Sequence, residues 1–180
     1  MTSLGTRLAR AATRWRLVDS KFLHNKLQYV LQTLLAVITI MVVLLALDLV
    51  QQTVLIASLG ASTFIVFAMP RSYPSRPRYM IGGYCVGTVV GCLLSFLTSA
   101  LAAQTGLELR TSQIICGALA TGLAFFLMVL TDTEHPPAAA LALGYVLNEW
   151  QFDTVVVVLG GVTALAVVKQ LFRERLMDLV

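Results

Sequence analysis

Thr131-Asp132-Thr133-Glu134-His135-Pro136-Pro137-Ala138-Ala139-Ala140 is the one polar interruption between two apolar segments in the second half of the chain. Asp132, Glu134 and His135 follow a run of membrane length, and Pro136-Pro137 opens a run of helix formers. Proline has no backbone N–H and holds φ near the helical value, so it suits the first positions of a helix better than its interior. The stretch therefore predicts a helix that starts at Pro136. Its N-terminus, with a partial positive charge, would face whatever sits beside Glu134 and His135.

The sequence around this stretch belongs in hydrocarbon. Of 180 residues, 58% are hydrophobic and 12% charged, about half the charged share of a soluble domain. Apolar runs long enough to cross a bilayer recur, which predicts an all-α polytopic membrane protein with the lipid bilayer as its main partner. Cys85, Cys92 and Cys116 all fall inside predicted spans and form neither a disulfide framework nor a zinc spacing, so they read as small packing residues. No cofactor, metal or nucleic-acid partner is expected.

Before the first span, residues 1–26 read as a basic amphipathic interfacial helix. At about 100° per residue, Leu4, Leu8, Ala11, Trp15, Val18 and Phe22 share one sector, with Arg7, Arg10, Arg14 and Lys21 on its flank. An Arg-rich, acid-poor targeting peptide is the alternative. The first apolar run begins only at Leu27 and lacks a small-residue cleavage site, so no signal peptide is expected.

Leu27 to Leu47 is the first span. The second, Val54 to Met69, is interrupted by Ser58-Leu59-Gly60-Ala61-Ser62-Thr63 and stopped by Pro70, which predicts a broken helix. A stiff loop, Arg71 to Arg78, leads to the third span, Tyr79 to Ala103. Small residues stand at every fourth position there: Gly83, Gly87, Gly91, Ser95 and Ser99. Such a stripe lets another helix approach closely, within this chain or from a second copy in a homo-oligomer. Gln113 to Leu130 is the fourth span, Pro136 to about Leu147 the short fifth segment, and Thr154 to Val168 the last. Residues 27–168 form the transmembrane domain, and 169–180 a charged cytoplasmic tail.

Of thirteen Lys and Arg, six precede the first span, three lie between Arg71 and Arg78, three follow Val168, and Arg110 alone occupies the alternate turns. With the first group inside, six segments leave both termini cytoplasmic, as expected for a bacterial inner membrane. The six divide into two sets of three, 27–103 and 113–168, that enter from opposite sides. The middle member of each set is the short or interrupted one. Such matching interruptions are the best sequence pointer to a transport site between inverted repeats.

At these residues the chain resembles the HPP family of small integral membrane proteins, through His135-Pro136-Pro137. The likeness extends to Gly60-Ala61-Ser62 with Pro70, Pro77-Arg78 with Ile81-Gly82-Gly83, and Thr131 to Ala140 with Gly144. It covers roughly residues 30–170. The resemblance implies a helical membrane fold and, from members of known role, nitrite movement across chloroplast or cyanobacterial membranes. Family members often carry histidine after the paired glycines, where this chain has Tyr84, which bears on the substrate.

The function expected is therefore a transporter or channel for a small inorganic anion, most simply nitrite, with protons as a possible second partner. The expected binding residues are Gly60, Ala61, Ser62 and Thr63 at one helix break, and Thr131, Glu134, His135, Pro136 and Pro137 at the other. Two helix ends, each with about half a positive charge and free N–H groups, would hold the anion without a buried Lys or Arg. His135, ordinarily titrating near 6.5, would add a proton-dependent charge, with Glu134 as its proton partner or its orienter. Arg78 is expected to attract the anion as well as to signal topology. Each has a plainer reading: Glu134 and His135 as helix-start residues, Gly60 to Thr63 as helix packing. A structural or regulatory subunit of a membrane complex is the rival function. No motif for a hydrolase or metalloenzyme is present, so an enzyme is not expected.

Overall fold

The computed structural model describes residues 24–47 and 53–180. The surface helix expected at 1–26 lies, but for its end, outside the described residues, as do residues 48–52. The described residues form six helices and no strand: α1 (Lys26–Leu47), α2 (Thr53–Ala68), α3 (Pro77–Thr105), α4 (Leu109–Thr131), α5 (Pro136–Leu147) and α6 (Phe152–Phe172). A 3-10 turn, Tyr73–Ser75, joins α2 to α3. Helices α1, α3, α4 and α6 are long and apolar enough to cross a membrane. The 12 residues of α5 rise only about 18 Å.

Local chemistry explains most helix ends. Pro77 and Pro136 occupy the first positions of α3 and α5. Gly106 ends α3 in the left-handed region at φ 69°, and Asp132 ends α4 there at φ 53°. Gln151 and Thr154 close a capping box on α6.

The expected break in α2 is overturned: the helix runs unbroken from Thr53 to Ala68. Ser58, Ser62 and Thr63 donate their hydroxyls to the carbonyls of Leu55, Ser58 and Leu59 on the same helix. The polar groups are thus satisfied without releasing the backbone.

All six helices run up and down between two ends. Gln32 of α1 donates to the carbonyls of Phe67, at the end of α2, and Met177. Leu179 N–H donates to Ala68 O at 2.9 Å. The start of α1, the end of α2, the Tyr73–Ser75 turn and the residues after α6 therefore share one end, with every described Lys and Arg except Arg110. Residues 173–180 are not a free tail. Gln28 and Tyr29 donate to the carbonyls of Arg175 and Leu179, and Leu176 is buried. Lys169, expected in that tail, lies inside α6.

The short helix is the centre of the bundle. Pro137, Ala138, Leu141, Ala142, Gly144, Tyr145 and Val146 of α5 are all buried. The small-residue stripe of α3 makes this possible. A Cβ at Gly83 would come 2.7 Å from His135 Cβ, one at Gly87 would strike the Ala138 carbonyl oxygen, and one at Gly91 would lie 2.9 Å from Tyr145 Cβ. The partner of the stripe is α5 of the same chain, so the homo-oligomer expectation loses that support. Large apolar side chains such as Leu34, Ile38, Phe96, Phe125 and Phe126 remain exposed on the outer helices, the surface a bilayer covers.

Candidate functional site

His135 is fully buried at the start of α5. It sits there because Gly82 and Gly83 leave room on α3 for the connector Thr133–His135. Its Nε2 lies 2.7 Å from Ser62 Oγ of α2, a residue 73 positions away. Ser62 Oγ in turn lies 2.9 Å from the Tyr84 hydroxyl of α3, and the Tyr84 hydroxyl 3.4 Å from Ser58 Oγ. Tyr84, Ser62 and Ser58 are all buried. Imidazole, phenol and two serine hydroxyls thus meet where α2, α3 and α5 converge.

Nδ1 of His135 lies 2.8 Å from the Pro74 carbonyl of the 3-10 turn. A carbonyl only accepts, so Nδ1 carries a hydrogen. The Ser62 hydrogen has three acceptors within reach, His135 Nε2, the Ser58 carbonyl at 3.0 Å and the Tyr84 hydroxyl. When Ser62 donates to Nε2, the ring is neutral and Tyr84 donates to Ser62. When the ring holds a second proton, Nε2 donates to Ser62, which turns its own hydrogen to the Ser58 carbonyl. Both arrangements use the same heavy-atom positions. The orienter of His135 is therefore the Pro74 carbonyl, and the expectation that Glu134 plays this part is not met.

The same turn is clamped from the other side. Lys169 of α6, buried itself, donates its ammonium to the carbonyl and hydroxyl of Ser75. Successive residues of one turn, Pro74 and Ser75, thus hold His135 and Lys169, and this turn of the basic end closes over the hydroxyl–imidazole cluster.

The remaining expected site residues divide. Thr63 is buried but bonded to its own helix. Gly60 and Ala61 lie on the exposed side of α2, and a Cβ at Gly60 would meet nothing within 4 Å. Arg78 is at the surface, 3.0 Å from Asp132, with side chains 66% and 59% exposed; such a pair contributes little to stability. Tyr79 donates to the same Asp132 carboxylate at 3.0 Å. Thr131 bonds Thr133, hydroxyl to hydroxyl, at 2.8 Å on the rim. Glu134 is half-buried beside Tyr79.

Pro136 and Pro137 open α5, as expected, but they also remove two of its backbone donors. The Ala138 N–H bonds the His135 carbonyl at 2.8 Å. The prolines thus take two N–H donors away from the start of α5, and the hydroxyls of Ser62 and Tyr84 stand beside it as side-chain donors. Sequence reasoning missed Tyr84, Ser58 and Lys169 as site residues. The Ser58–Ser62 spacing of four, one turn of helix, was the available signal for a polar face on α2.

The profile described as "HPP, transmembrane region" matches residues 23–177. A transmembrane protein of Dictyostelium discoideum is 38% identical over 93 residues, which is 52% of this chain and 30% of that protein. A second transmembrane protein of the same organism is 33% identical over 97 residues, 54% of this chain and 29% of the other. The chain thus spans less than a third of the length of these relatives. Both are eukaryotic, so the expected bacterial membrane draws no support from them. No solved structure matches the chain. The profile covers nearly all of the described helices, and this chain belongs to the HPP transmembrane region family.

Proposed function

We propose that this chain is a transporter or channel for a small inorganic anion, nitrite or one of similar size, rather than an enzyme. The observation that carries the reading is the buried Ser62–His135 contact, at 2.7 Å, between the two short helices α2 and α5. Hydrogen-bonding groups inside a membrane bundle are costly and usually mark a pathway. Ser62 and Tyr84 can each donate to an anion, and the N-terminus of α5 adds about half a positive charge without a buried cation. Meeting of the middle helices of two three-helix sets is also what an inverted repeat would produce, with the basic end facing the cytoplasm. Tyr84 bonds Ser62 directly, so its hydroxyl helps set which anion is accepted.

The test is flux through purified protein in liposomes, with nitrite, nitrate, chloride and formate compared. Removing a hydroxyl that donates to an anion weakens its binding by about tenfold or more, so Ser62→Ala and Tyr84→Phe should cut flux of the preferred anion accordingly. Parent-like flux in both variants would place the anion elsewhere.

A further inference from the structure

Farther from the basic end, the same helices enclose a second pair of hydroxyls. Thr88 follows Tyr84 by four residues on α3 and so stands one turn, about 6 Å, along the axis. Tyr145 of α5 packs its Cβ against Gly91. Side chains on a helix lean toward its N-terminus, and the Tyr145 hydroxyl accordingly lies beside that of Thr88. Thr88 is 6% exposed and Tyr145 0%. The two hydroxyls are outside hydrogen-bonding geometry, and neither has a partner among the described residues. Ser58, Ser62 and Tyr84, one turn away, are all bonded. Buried hydroxyls are normally paired, so two adjacent unpaired ones leave a place for a further partner.

The pair also lies behind an opening. A crevice of about 620 Å³ is lined by Ser95, Gln113, Asn148, Trp150 and Gln151, among others, with Glu149 as its one charged side chain. Trp150 donates its Nε1 hydrogen to Ser95 Oγ at 3.0 Å, and its ring stands edge-on to Tyr145 at 5.6 Å. Inward from the crevice stand Trp150, Tyr145 and Thr88, and one turn of α3 farther on stands Tyr84 with Ser62 and His135. None of these is Lys or Arg. Each of the two unpaired hydroxyls has a hydrogen to donate, so one small acceptor set between them would take both.

We propose that Thr88 and Tyr145 form a second binding station for a small monovalent anion, between the crevice at 148–152 and the Ser62–His135 cluster. This rests on the transport reading above. Trp150 separates the station from the crevice, and its displacement admits the anion.

Two measurements test it. In liposomes, with nitrite as the probe, Thr88→Val and Tyr145→Phe each lower flux about tenfold, Thr88→Ser restores it, and the thermal midpoints stay at the parent value. Parent-like flux in both Thr88→Val and Tyr145→Phe, with midpoints at or above the parent, overturns the station. The second measurement needs no flux. With Cys85, Cys92 and Cys116 replaced by alanine, Thr88→Cys should react with a small negatively charged methanethiosulfonate in detergent, more slowly when nitrite is present. Absence of reaction, or reaction that nitrite leaves unchanged, overturns the proposal. If the parent moves none of the four anions, the transport reading fails while labelling still decides the station. Labelling also decides where a flux loss comes with a lowered thermal midpoint.

Discussion

Gly60 to Thr63 in α2 and Glu134 to Pro137 before α5 are both polar or small interruptions of apolar sequence, at matching places in the two sets of three helices. The first is continuous helix and the second is a true helix start. Serine and threonine can close their hydroxyls on carbonyls of their own helix, as Ser58, Ser62 and Thr63 do. Proline has no such option, because it removes a donor and its ring clashes with the preceding turn. The comparison also inverts the expected chemistry. The real helix start lacks two N–H groups because it is built from prolines, while the unbroken helix supplies Ser62, whose hydroxyl reaches His135. Side chains, rather than broken backbone, provide the donors here.

The comparison depends on α5 being held against α3, and that contact carries the largest expected effect. Gly87 faces the backbone of Ala138 with no room for a Cβ. Gly87→Leu should cost about 3 kcal/mol or more, since overpacking here moves backbone and not only side chains. Thermal unfolding in detergent is the measurement. A midpoint within a degree of the parent would mean that α5 is not fixed by this stripe.

A smaller effect tests the bond between the two regions. His135→Ala leaves the Pro74 carbonyl and Ser62 without their partner and should cost about 2–3 kcal/mol. Ser62→Ala should cost about 1–2 kcal/mol. Because each variant removes the same Ser62–His135 contact, the double variant should be milder than the sum by about 1 kcal/mol. Strict additivity would show that the contact contributes nothing to stability.

How legible these features were follows from where their causes lie in the chain. Pro136 acts within a few residues, so the start of α5 could be read directly, whereas Pro77, expected inside the loop 71–78, opens α3 instead. The stripe Gly83, Gly87, Gly91 showed that something approaches α3, but α5 as the partner is a long-range fact. His135 and Ser62 were both legible as candidates, and their meeting followed from matching the two short segments. The reason offered for it, two opposed helix ends, was wrong for α2. Tyr84 stood out only as a departure from the family's usual histidine. Nothing in the sequence marks the Pro74 carbonyl, because any residue has one. Lys169 was assigned to the tail for its charge, whereas its long stem lets the ammonium reach Ser75 from inside α6.

The smallest expected effect bears on α2 itself. Gly60 stands in the interior of a continuous helix, on its exposed side, with open space where a Cβ would be. Glycine in such a position has more unfolded-state freedom to lose than alanine, and the difference is about 1 kcal/mol at most. Gly60→Ala should therefore raise the thermal midpoint by roughly 2–4 °C and leave anion flux at the parent level. The two readouts separate two roles for this glycine. A raised midpoint with unchanged flux means that continuous α2 is also the working form, and that position 60 plays no part in the site. A raised midpoint with flux lost means that α2 must bend at Gly60 during transport, so that the interruption at 60–63 acts in motion although the helix is unbroken at rest.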